Sequence, residues 1–230
     1  MMPVLTSFAV CLAVILGFAA MRRLSGRLGH PAWANPVLAT ALVVIALLAA
    51  LAVPLAAFQR LAVPLGWVLG PAIVSLAAVA DLARPLLAGR ARAAVLAIIG
   101  GTLFGLALAF AMARLLGLEP LLVTALATKT ISSPFLITIL GRLDGPVAFA
   151  AALSVATGVV AAMLVPPLLT RLGVKDRDAR ALALGVSGHL VGSEYATRTD
   201  PERGGLAVIA LVSAGLLAAV LLPLVWRWLV

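Results

Sequence analysis

Eight apolar stretches, at 3–21, 36–53, 64–83, 93–117, 121–140, 146–170, 181–198 and 204–229, make up most of this chain, with short gaps of Gly, Pro and charge between them. A helix needs about 20 apolar residues to cross a hydrocarbon core of roughly 30 Å, and most of these runs are close to that length. Lipid offers no partner to a backbone N–H or C=O, so only structures that pair those groups internally can span it. The pattern therefore predicts an all-α polytopic membrane protein with seven or eight hydrophobic segments. Composition agrees: 64% of residues are hydrophobic and 11% charged, against about 25% charged in a soluble domain. The 230 residues read as a single integral membrane domain, 1–230, in contact with the lipid bilayer and with no room for a soluble domain.

The net charge of +9 does not point to nucleic acid, because Lys and Arg collect in the gaps and form no stripe interleaved with aromatics. Basic gaps mark the cytoplasmic side of an inner-membrane protein, which predicts a multi-pass protein of the bacterial inner (cytoplasmic) membrane. The run Val4–Met21 precedes Arg22, Arg23 and Arg27, the reverse of a secretory signal, so it reads as a first crossing with its N-terminus outside. Cys11 is the single cysteine; it rules out an intrachain disulfide and reads as a small packing residue.

Charge counting exposes a conflict. The gaps with Arg22/Arg23/Arg27, Arg84/Arg90/Arg92 and Arg171/Lys175/Arg177/Arg180 should all face the cytoplasm. Three apolar segments separate the second gap from the third, and three full crossings would put them on opposite sides. The segments 93–117 and 146–170 are long and uninterrupted. The segment 121–140 contains Lys129-Thr130-Ile131-Ser132-Ser133-Pro134 and is the natural candidate for a broken or re-entrant helix; the alternative is that Asp176 and Asp178 dilute the signal.

A second polar interruption, Ser187-Gly188-His189-Leu190-Val191-Gly192-Ser193-Glu194, makes 181–198 another broken element. The chain thus has two broken or re-entrant helices. Asn35-Pro36 echoes Ser133-Pro134, and Leu69-Gly70-Pro71 echoes the later glycine-rich break. Short Gly/Pro-interrupted segments in corresponding halves suggest an inverted repeat.

Lys129 is the leading site candidate. An amine within an apolar segment attracts an anion near the midplane; the alternative is a stem that snorkels to the interface. Thr130, Ser132 and Ser133 supply hydroxyls, and Pro134 opens a half-helix whose amides would favour a carboxylate or phosphate. Around the second break, Ser187, His189, Gly192, Ser193 and Glu194 form the other half of the candidate site. His189 would tune or couple a step by titrating near neutral pH, and a break at Gly192 would bring Glu194 to it. Asn35 is a weaker candidate with a capping role as its alternative. Gly100-Gly101-Thr102-Leu103-Phe104-Gly105 reads as helix packing. There is no metal-spaced cluster, no G-x-S-x-G and no P-loop, so the sequence predicts neither an enzyme nor a bound cofactor.

Taken in order, Asn35-Pro36, Leu69-Gly70-Pro71-Ala72, Lys129–Pro134, the Asp/Arg-rich gap Val174–Arg180 and Ser187-Gly188-His189…Gly192-Ser193 resemble the LrgB/CidB family of antiholin-like membrane proteins and their plastidal glycolate/glycerate translocator relatives, over about residues 33–230. The family pattern is close to K-S-x-T-T-P and S-H-x-x-G-T-A. Here Ser and Thr are exchanged in the first motif, Gly188 separates Ser187 from His189, and Ser193-Glu194 stands where Thr-Ala is expected. The resemblance implies a transporter of small monocarboxylates such as glycolate, glycerate or pyruvate, with H+ or Na+ as the coupling ion left open. It equally implies an antiholin-like regulator of murein hydrolase release and lysis, acting with an LrgA-like small membrane protein supplied as a separate chain. Homo-oligomerisation is left open.

Overall fold

The computed structural model describes the chain except Met1, His30, Thr130, residues 143–145 and Val230, and among the described residues its regular secondary structure is all helical. Two compact units divide it, Met1–Val74 and Ser75–Val230. The first holds α1 (Met2–Arg27), α2 (Pro36–Ala50), α3 (Leu55–Leu61), α4 (Val63–Trp67) and the start of α5 (Leu69–Leu82). The second holds the end of α5, then α6 (Ala91–Leu115), α7 (Pro120–Thr128), α8 (Ser133–Arg142), α9 (Val147–Arg171), α10 (Arg177–Thr199) and α11 (Gly204–Leu229).

All eight apolar segments are helical, but they differ in reach. Five stretches among the described residues are long and apolar enough to cross a membrane: Val4–Arg27, Val63–Leu82, Ala91–Leu115, Val147–Arg171 and Gly204–Leu224. The segment 36–53 shortens to α2, of 15 residues, and 121–140 divides into α7 and α8. Large apolar side chains stand out from the surface all along the long helices, among them Leu96, Phe104, Leu115 and Leu164. Patches of that size are untenable in water and natural against lipid.

In the first unit, Asn35 explains where α2 begins. Its side chain accepts from the amides of Val37 and Leu38 at 2.9 and 3.2 Å, and Pro36 occupies the first helical position, where a missing N–H costs nothing. Thr40 returns its hydroxyl to the Pro36 carbonyl at 2.6 Å. Ser7 and Cys11 both direct their side chains to the Leu61 carbonyl, so α1 partly satisfies the frayed end of α3. Cys11 is buried and packs as expected.

In the second unit, α11 is the central helix, with 56% of its apolar window buried. Its packing against α10 depends on glycine. A Cβ on Gly185 would strike the Ala207 backbone, and one on Gly204 would strike Thr197. Ser193 adds a hydrogen bond to the Ala207 carbonyl at 3.0 Å.

Ion pairs gather the loops at one end of this unit. Arg90, just before α6, contacts Asp176 and Asp178 at the start of α10, at 2.8 and 3.0 Å. Arg203, before α11, reaches Asp178 at 3.4 Å. Arg177 pairs with Asp200 at 2.6 Å and Glu202 at 2.9 Å. Asp176 caps α10 through the amides of Asp178 and Ala179. The Ala179 amide, foremost, and the Arg90 guanidinium hold the Asp176 carboxyl below its ordinary value. Arg177 does the same for Asp200, and its own guanidinium is pushed further up by that pairing.

Arg177 and Asp200 flank α10, so that both its ends lie together. They can do so because the element is not one rod. His189 sits at φ 46°, ψ −129°, outside helical geometry, and the arms on either side of it double back. Gly192 lies so close to the Leu184 carbonyl that a Cβ would not fit between them.

Candidate functional site

The first break follows from local chemistry. Thr124 and Thr128 turn their hydroxyls back to the Pro120 and Thr124 carbonyls at 2.7 and 3.0 Å, so α7 satisfies itself until Thr128. Pro134 then stands in the first turn of α8, where its missing amide costs nothing. The Ser132 carbonyl accepts from the amides of Phe135 and Leu136 at 3.0 and 3.1 Å and starts α8. Amides after Pro134 were expected to face a ligand. The structure corrects that detail, since the first two of them are already bonded to Ser132.

The two breaks meet. His189 Nε2 lies 3.0 Å from the Lys129 carbonyl, and because a carbonyl only accepts, the ring donates from Nε2. Ser154 of α9 donates to the Ile131 carbonyl at 2.7 Å, so both carbonyls released by the first break have partners. His189, Ser132 and Ser154 are all buried. A non-glycine residue at positive φ is costly, about 1–3 kcal/mol, and persists where the surroundings over-determine it. Here the Lys129 hydrogen bond fastens the ring on one side. On the other, Gly158 of α9 admits the backbone, with the Gly188 carbonyl 3.0 Å from where its Cβ would be.

Beside this junction lies a cavity of about 600 Å³ walled by α6, α9 and the first arm of α10. Lys129, Thr102, Thr157 and Ser187 are its polar lining residues; the rest are Gly, Ala, Val, Leu and Phe. Lys129 is half-buried, and its ammonium has no hydrogen bond or carboxylate partner among the described residues. The lining contains no acidic side chain. Such a place favours an anion, because the cation is only partly solvated and lacks a counter-charge.

Not every sequence candidate is here. Glu194 was expected to join His189 through a break at Gly192, but the break is at His189 and Glu194 pairs with Arg198 one turn on, at 3.2 Å. Gly192 and Ser193 lie in the second arm, where they pack α10 on itself and on α11. Ser187 donates to its own helix at Ala183, 2.6 Å away, yet lines the cavity. Ser132 is buried with no hydrogen-bond partner for its hydroxyl among the described residues, and Ser133 and Pro134 open α8. Asn35 caps α2 in the other unit, and Thr130 lies outside the described residues. Thr102 and Thr157 were missed. Thr102 sits in the small-residue stripe read as packing, and that stripe does pack: Gly101 touches Val186, 3.1 Å from its would-be Cβ. Among the described residues no group of His, Cys, Asp and Glu could hold a metal ion.

Long apolar helices, an outward apolar surface and polar breaks held inside define a multi-pass, all-helical membrane protein. The chain belongs to the LrgB-like family, whose sequence pattern matches residues 14–228. It is similar to an uncharacterised protein of Haemophilus influenzae, 30% identical over 116 residues that make up 50% of each chain. It is also similar to the plastidal glycolate/glycerate translocator 1 of Arabidopsis thaliana, 29% identical over 154 residues, which are 66% of this chain and 30% of that one. The chain thus spans half or less of the length of these relatives. No solved structure matches it.

Proposed function

We propose that the chain is a secondary transporter of small monocarboxylates of the glycolate, glycerate or pyruvate kind, working without enzymatic chemistry in the bacterial inner membrane. The observation that carries this reading is the Lys129 ammonium, without a counter-charge at the wall of a buried cavity where two interrupted helices touch. Lys129 would pair with the carboxylate, and His189 would tune the step by holding the Lys129 carbonyl. The similarity to a plastidal glycolate/glycerate translocator supports the substrate class.

Loop geometry supports a re-entrant arrangement. Each of α6 and α9 has 25 residues, or about 37 Å at 1.5 Å per residue. The start of α6 and the loop after α9 share an ion-pair cluster, and basic residues mark that end as cytoplasmic. Segment α7–α8 would then return to the outer face it left, and α10 to the inner face, with their tips meeting near the midplane. This arrangement would resolve the charge conflict in the sequence, and it is the kind of midplane site that discontinuous helices build in transporters.

The test is uptake of radiolabelled glycolate or pyruvate into proteoliposomes, under H+ and Na+ gradients in turn. No uptake by the wild type, alone or with an LrgA-like partner chain, would overturn the transporter reading in favour of an antiholin-like regulator of murein hydrolase export.

A further inference from the structure

The cavity is far larger than a two- or three-carbon acid requires, and only four of its sixteen lining residues, Lys129, Thr102, Thr157 and Ser187, are polar. A volume of about 600 Å³ falls in the range, roughly 300–1,000 Å³, of cavities that enclose much larger ligands. Apart from those four residues the wall is apolar, and it includes Ala97 of α6, Val160, Leu164 and Val165 of α9, and Leu182 of α10. None of these can hydrogen-bond the hydroxyl or oxo group of a second polar centre.

Thr102 adds an independent observation. Four buried hydroxyls of this unit find carbonyls: Thr124 and Thr128 bond to their own helix, and Ser154 and Ser193 bond across to neighbouring elements. Thr102 is 4% exposed, and its hydroxyl has no partner among the described residues. It lines the same cavity as Lys129. A buried hydroxyl without a partner is destabilising, and rotation about one side-chain bond would aim it at a bound oxygen.

We infer that this cavity binds monocarboxylates bearing an apolar body, the carboxylate held by the Lys129 ammonium and the Thr102 hydroxyl and the hydrocarbon lying along the wall from Val160 to Val165. This deepens the monocarboxylate reading, on which it rests for the anion, and shifts the preferred class from short hydroxy acids to longer aliphatic acids, each buried methylene adding about 0.8 kcal/mol.

Calorimetric binding of acetate, butyrate and hexanoate to the purified full chain in lipid nanodiscs tests it. Affinity should rise about fourfold per methylene. Thr102→Val, nearly isosteric, should weaken all three acids by about tenfold, as loss of a hydrogen bond to a charged group does. Ala97→Leu, which fills part of the apolar wall, should flatten the chain-length dependence. Equal affinity for the three acids in the wild type, or no binding of any, overturns the inference, as does a Thr102→Val protein that binds as the wild type does. Glycolate uptake that hexanoate fails to compete overturns it while leaving the transporter reading intact. Binding that follows chain length in a protein that moves no acid across a liposome supports the inference and removes the transporter reading.

Discussion

His189 offers a perturbation whose size follows from backbone geometry. Its φ of 46° and ψ of −129° lie where a Cβ is strained by about 1–3 kcal/mol and glycine is at ease. Replacing it by Ala or by Gly removes the same ring and the same 3.0 Å hydrogen bond to Lys129, so the comparison between the two variants isolates the backbone. Glycine returns part of its advantage by freeing the unfolded chain, at about 0.4–1 kcal/mol. The remainder is about 1 kcal/mol in favour of His189→Gly. For a unit of this size that corresponds to a melting temperature about 2–4 °C above that of His189→Ala. Thermal unfolding of the two proteins in the same detergent, followed by intrinsic tryptophan fluorescence, measures the difference. A His189→Ala protein as stable as His189→Gly, or more so, would refute the strained turn and with it the doubling back of α10.

Three further outcomes are expected. Lys129→Ala should reduce carboxylate uptake by at least tenfold, since it removes the cavity's one charged group among the described residues; undiminished uptake would displace the site. Gly185→Ala should destabilise the protein by more than 2 kcal/mol, the scale of forced overpacking, because its methyl has only the Ala207 backbone and the Ala210 side chain to meet; denaturation showing wild-type stability would contradict the packing of α10 on α11. The folded Asp176 and Asp200 carboxyls titrate below their ordinary value of 3.8. Their contribution to stability is therefore complete above that value and lost as the pH falls below it. The stability difference between wild type and Asp200→Asn should be constant from pH 7 to 5 and shrink as the pH falls below 3.8, as melting curves across that range would show.

What could be read in advance follows the strength of local signals. Unbroken apolar runs can be little but long helices, and α1, α6, α9 and α11 appear where such runs stand. The Lys129–Pro134 interruption was legible because proline and charge both oppose a lipid-facing helix. The second interruption was legible in place but not in detail. Two glycines invite a break at either, whereas the chain turns at His189, and a positive φ at histidine depends on the Lys129 carbonyl, 60 residues away in sequence. That turn also explains why Glu194 lies apart from His189. Asp176 and Asp178 could be weighed as diluting a basic loop, but not as partners of Arg90, because that pairing is made by the fold. Thr102 gave no signal at all: whether a helical hydroxyl returns to its own carbonyl is a rotamer choice set by its neighbours.

The bond from His189 to the Lys129 carbonyl ties the histories of two distant stretches of sequence. Breaking a helix inside lipid strands a carbonyl, and doubling a helix back strands a side chain at its tip. Each defect is tolerable here because the other lies opposite it. Removing one by substitution would leave the other without its hydrogen-bond partner, so a double change at Lys129 and His189 should cost less stability than the sum of the two single changes.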